Sequence, residues 1–114
     1  MNELVHISNN EDAIIFDDEK GLVAILEYFY IPSEEIRELM IHERAHYEKA
    51  RELGFPANYC ILYKHENGKI KSIRPAVVTD DKGMSLEQRI SVTSAPLDLS
   101  LRDIDDLKKL KDLR

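Results

Sequence analysis

The chain has 114 residues, 33% of them charged and 43% apolar, with a net charge of −6 and a single cysteine. That length suffices for one domain with a real core and not for two, and the acidic balance argues against nucleic acid or an anionic membrane surface as a partner. Cys60 alone cannot form an internal disulfide and fits a reducing compartment, so the expected location is cytoplasmic.

The opening MNELVHISNNED is polar and carries no signal-peptide core. Leu4 to Ser8 and Ala13 to Phe16 read as short strands around a turn at Asn9-Asn10-Glu11-Asp12, and Asp17 to Gly21 reads as a turn or a helix start. The run LVAILEYFYI, Leu22 to Ile31, is too short to span a bilayer and contains Glu27. Nearly every position in it is apolar, so periodicity does not separate helix from strand. Helix is favoured, buried on most sides, with Tyr28, Phe29 and Tyr30 as core and rim packing.

Residues 33 to 53 read as a helix. Ile31-Pro32 stops what precedes, Ser33 supplies an N-cap oxygen, and Glu34 and Glu35 sit where the helix dipole favours negative charge. Gly54 suits the left-handed C-cap position, and Pro56 follows where a helix cannot continue. At about 100° per residue, Leu53, Leu39, Ala50, Ile36, Tyr47 and Met40 form an apolar stripe. Glu43 falls near the middle of that stripe, His46 falls between Leu53 and Leu39, and His42 lies just past its edge. A carboxylate placed on a buried face has to be neutralised or used.

Further on, Tyr59 to Lys64 and Lys69 to Arg74 flank His65-Glu66-Asn67-Gly68, a strong hairpin signal. Pro75 marks an edge or a break, with Ala76 to Thr79 resuming the strand, and Asp80-Asp81-Lys82-Gly83 is a turn. Leu86 to Thr93 alternates apolar and polar residues and is expected to be a strand. Ser94 to Leu99 is a linker. Ser100 with Asp103 resembles a capping-box start to a last helix, in which Leu101, Ile104, Leu107, Leu110 and Leu113 recur every three residues. That row drifts around a helix of 3.6 residues per turn, so the distal leucines are left exposed unless the end frays or meets a second copy. The expected fold class is α+β: one domain with a small antiparallel sheet packed on the central helix, and a C-terminal helix.

The misplaced polar residues spell His42-Glu43-Arg44-Ala45-His46, an H-E-x-x-H pattern. Histidines at i and i+4 project side by side and can share one tetrahedral ion, while the glutamate beside the first is aimed at a water in the open position. The pattern resembles that of the zincin metallopeptidases, and the chain's small size is similar to the minigluzincins. A longer likeness, His42-Glu43-x-x-His46-Tyr47-x-x-Ala50-x-x-x-Gly54, looks like the motif of the intramembrane site-2 proteases, in which a later Leu-Asp pair supplies the third ligand.

These resemblances imply Zn2+ as cofactor, His42 and His46 as ligands and Glu43 as general base, with a peptide or protein as substrate. They make Asp98 of Leu97-Asp98 the first choice for the third ligand, followed by Asp103 and then Glu87. Tyr47 or Tyr59 is a candidate to steady an oxyanion. Glu52 faces away from Glu43 and is rejected. The competing reading is a non-catalytic α+β interaction domain in which the His pair is incidental or binds metal without catalysis, and the C-terminal leucines meet a protein partner.

Overall fold

The computed structural model describes residues 11–80, 82–96 and 101–113. In chain order its elements are β1 (Glu11–Phe16), α1 (Glu19–Tyr28), α2 (Ser33–Glu52), β2 (Ala57–Glu66), β3 (Lys69–Thr79), α3 (Leu86–Thr93) and α4 (Leu101–Asp112). The strands form one antiparallel sheet in the order β1-β2-β3, so the class is α+β. Among the described residues no helix is long and apolar enough to cross a membrane. The strand expected at Leu4 to Ser8 lies outside the described residues.

Asn67 and Gly68, with φ of 54° and 78°, make the two-residue turn that joins β2 to β3. Both central residues need positive φ for the turn to match the strand twist, and Asn-Gly tolerates that best. Pro75 does not break β3. The strand runs through it, opposite Ile61, because β3 is an edge strand where a missing N–H leaves no ladder bond unmade. Glu11 and Asp12 belong to β1 rather than to the expected turn, paired with Lys64 and Tyr63.

Alternation along β2 and β3 buries both faces of the sheet. Tyr59, Ile61 and Val77 join Leu22 and Leu26 of α1 and Ile36, Met40 and Ala50 of α2 in the main core. Cys60, Leu62, Ala76 and Val78 form a second buried cluster on the other face. Gly21 lets α1 close on β1, since a Cβ there would stand 2.6 Å from Cδ1 of Phe16.

Helix α1 starts on the Asp18 carboxylate, which accepts from the N–H groups of Lys20 and Gly21. It ends in a reversal in which Tyr30 N–H donates to Glu27 and Ile31 N–H donates to Leu26, with Tyr30 at φ 61°. This turn carries Ile31 against the core, leaves Phe29 half-buried, and leaves Tyr28 and Tyr30 outside, 72% and 92% exposed. The expectation that the whole run packs in the core or its rim is therefore corrected: α1 is amphipathic and fully buries Leu22 and Leu26.

Helix α2 begins without a side-chain cap; Pro32 is its N-cap, and the Pro32 carbonyl accepts the Ile36 N–H at 2.9 Å. The cap expected from Ser33 is not made. The C-terminal expectation holds: Gly54 at φ 89° donates to Arg51 and Phe55 donates to Ala50, a Schellman closure.

Residues 86–93 are a helix, contrary to the strand expected from alternation. Ser85 Oγ accepts the Gln88 N–H at 3.1 Å, and Gln88 Oε1 accepts the Ser85 N–H at 2.9 Å, a complete capping box. That local signal outweighs an alternation only eight residues long. In α4 the leucine row drifts as expected, with Leu107 buried, Ile104 39% exposed and Leu113 71% exposed.

Candidate metal centre

Three helices meet at the motif. The apolar stripe of α2 packs against the core, which carries Glu43 and His46 inward with it: Glu43 is 7% exposed and His46 is 9%. Helix α3 packs beside α2 and presents the carbonyl of Val92. Helix α4 packs on α3 and presents Asp103.

The side chains converge. His42 Nε2 lies 2.8 Å from Asp103 Oδ2, and His46 Nε2 lies 3.3 Å from Asp103 Oδ1. One ligand atom from each of His42, His46 and Asp103 falls within 4.8 Å of the others. A tetrahedral ion about 2.0–2.1 Å from its ligands holds them roughly 3.4 Å apart, so small side-chain movements would close this set. The two imidazole rings stand edge to face with centroids 5.0 Å apart.

Hydrogen bonding shows that the centre suits a cation. His46 Nδ1 lies 2.8 Å from the Val92 carbonyl oxygen. A carbonyl only accepts, so Nδ1 carries a proton and the lone pair of a neutral ring is at Nε2. That lone pair faces a carboxylate oxygen, and the two acceptors need a positive charge between them. Burial works against a charged ring, but the bonds to Asp103 and to the Val92 carbonyl, with the Asp103 and Glu43 charges, outweigh it and raise the His46 pKa. A metal ion would meet the same demand, and the Val92 bond is the outer-shell contact that fixes a metal-binding histidine in one tautomer.

Glu43 stands next to the triad, its Oε2 4.0 Å from His42 Nε2. Burial pushes its carboxyl up to about 7, against the pull of His46, His42 and Arg74. An acid that titrates near neutrality can both take and give a proton.

Asp98 lies outside the described residues. Glu87 is exposed in the first turn of α3 and is not part of the triad. Glu52 is exposed and pairs with Lys49. Tyr47 and Tyr59 stack with ring centroids 4.7 Å apart. Tyr59 is pushed up to about 12, by burial first and then by the Glu19 charge, so it lies on the side of α2 that faces α1. Arg44 of the motif also turns that way, its Nε and Nη2 donating to the Glu19 carboxylate at 3.2 and 2.9 Å. The contribution of the Val92 carbonyl left no trace in the sequence, because any residue offers a carbonyl.

No known family model matches the chain, and neither does any of the curated proteins or solved structures with which it was compared.

Proposed function

We propose that this chain is a small zinc-dependent hydrolase acting on peptide or protein amide bonds, as its resemblance to the zincin metallopeptidases implies. The observation that carries the reading is the pairing of a two-imidazole, one-carboxylate triad with the buried carboxyl of Glu43, 4.0 Å from His42 Nε2. His42, His46 and Asp103 would hold the ion. When bound, zinc supplies polarisation of a carbonyl and a water that ionises near neutral pH.

Glu43 does the proton work. Its carboxylate accepts a proton as water adds to the scissile carbonyl carbon, and it returns that proton to the amine as the C–N bond breaks. Glu43 thus ends as it began, having taken and returned one proton. The Val92 carbonyl holds the His46 ring in place, and neither it nor the ligand Asp103 takes a proton from substrate. The buried Cys60, which forms no disulfide, fits a reducing setting such as the cytoplasm.

The same donor set suits iron(II), and the position of Glu43 favours hydrolysis over oxygen chemistry. The test uses the full chain purified without a His tag, as wild type, His46→Ala and Glu43→Gln, with metal content and peptide cleavage both measured. Near-stoichiometric zinc in wild type and Glu43→Gln, none in His46→Ala, and cleavage by wild type alone are expected. Iron in place of zinc would remove the hydrolase reading. Negligible metal in all three would leave a non-catalytic interaction domain.

A further inference from the structure

Helix α4 supplies Asp103, and the role inferred for it rests on the reading of His42, His46 and Asp103 as ligands. Helix α4 has twelve residues, a length at which an isolated helix is marginal in water. Its described side chains are mostly exposed and charged, with Leu107 the buried one among them. It lies chiefly on α3, itself only eight residues long. Its Asp103 reaches past α3 to both imidazoles of α2, at 2.8 and 3.3 Å. The triad is thus a direct polar link between α4 and the motif helix.

We propose that α4 is a cation-dependent latch: the ion bound by His42, His46 and Asp103 is what holds α4 down, and removing it releases the helix. The geometry gives the reason. The His46 Nδ1–H is committed to the Val92 carbonyl, which leaves Nε2 as the ring nitrogen that meets Asp103. A cation held between His42, His46 and Asp103 ties α2 to α4 through shared ligands. Linkage makes the effect reciprocal: whatever docking adds to cation affinity, the cation adds to docking. The third ligand then leaves with the helix, so loss of metal opens the centre as well as emptying it.

Amide hydrogen exchange tests this on the full chain at one fixed pH, with EDTA or with zinc sulfate, zinc occupancy being read by native mass spectrometry. With free zinc at about a hundred times its Kd, α4 amides should exchange at least tenfold more slowly than with EDTA. The β2–β3 hairpin should change little. Asp103→Asn should leave α4 fast-exchanging in zinc, and slow exchange in its hairpin shows that this variant is folded. Zinc bound to wild type with unchanged α4 exchange would overturn the latch and leave the metal site standing. No zinc bound at all would overturn both. Should Asp103→Asn fail to fold, the wild-type comparison decides alone.

Discussion

His46 donates through Nδ1 to the carbonyl of Val92 at 2.8 Å, and this one bond sets which way the inner imidazole of the motif helix faces. It fixes the tautomer, points Nε2 at Asp103, and joins α2 to the end of α3. The expected consequences can each be checked by one measurement.

The triad predicts which carboxylate matters. Asp103→Asn should weaken zinc binding by more than the roughly 10–100-fold that loss of an outer-shell partner costs. Glu87→Gln should leave it within about twofold, since Glu87 is exposed outside the triad. Competition against a chromophoric chelator measures both. Equal affinity of Asp103→Asn and wild type would remove Asp103 from the site.

Glu43→Gln should separate chemistry from metal. The amide keeps the shape of the side chain and cannot accept the proton, so kcat is expected to fall by roughly 10²–10⁴ with KM little changed. Steady-state kinetics on a cleaved peptide, with metal content measured alongside, reads this out. Activity within a factor of two of wild type would assign the base elsewhere.

The metal-free protein should lose stability as pH rises. Glu43 titrates at about 7 in the fold against 4.5 ordinarily, so the folded chain keeps a proton that the unfolded chain releases. The stability this contributes is full below 4.5 and is lost as pH climbs through 7. His46 is also raised, from 6.5, and has the same sign: its contribution is full below 6.5 and is lost as pH passes its higher folded value. Urea unfolding in EDTA at pH 5, 6, 7 and 8 should show a decline of up to about 3 kcal/mol from Glu43. Glu43→Gln should flatten most of it. Zinc should oppose it, because cation binding displaces protons and tightens with pH. A metal-free stability that climbs between pH 5 and 8 would contradict the buried, protonated state.

Gly21→Ala should destabilise despite alanine's helix propensity. The added Cβ would sit 2.6 Å from the Phe16 ring, so either that side chain or the packing of α1 on β1 must give. Overpacking of this kind costs about 1–3 kcal/mol against roughly 1 kcal/mol gained by replacing a helical glycine. A lowered Tm, partly restored by Phe16→Leu, is the expected result; a raised Tm would mean that the ring moves freely.

What the sequence by itself determined was local. Asn67-Gly68 set the hairpin turn, Gly54 closed α2, and the apolar stripe of α2 turned Glu43 and His46 inward, because each depends on neighbours within a turn or two of chain. Tertiary structure decided the rest. Residues 86–93 are too few for alternation to exclude a helix, and the Ser85–Gln88 capping box prevails once α3 can bury Ile90 and Val92 beside α2. Asp103 was indistinguishable in sequence from a carboxylate placed for a helix start; only the packing of α4 on α3 brings it against His42 and His46. Two ligands one helical turn apart are a property of a helix. A third, supplied from another helix far along the chain, is a property of how the helices pack, which no local pattern encodes.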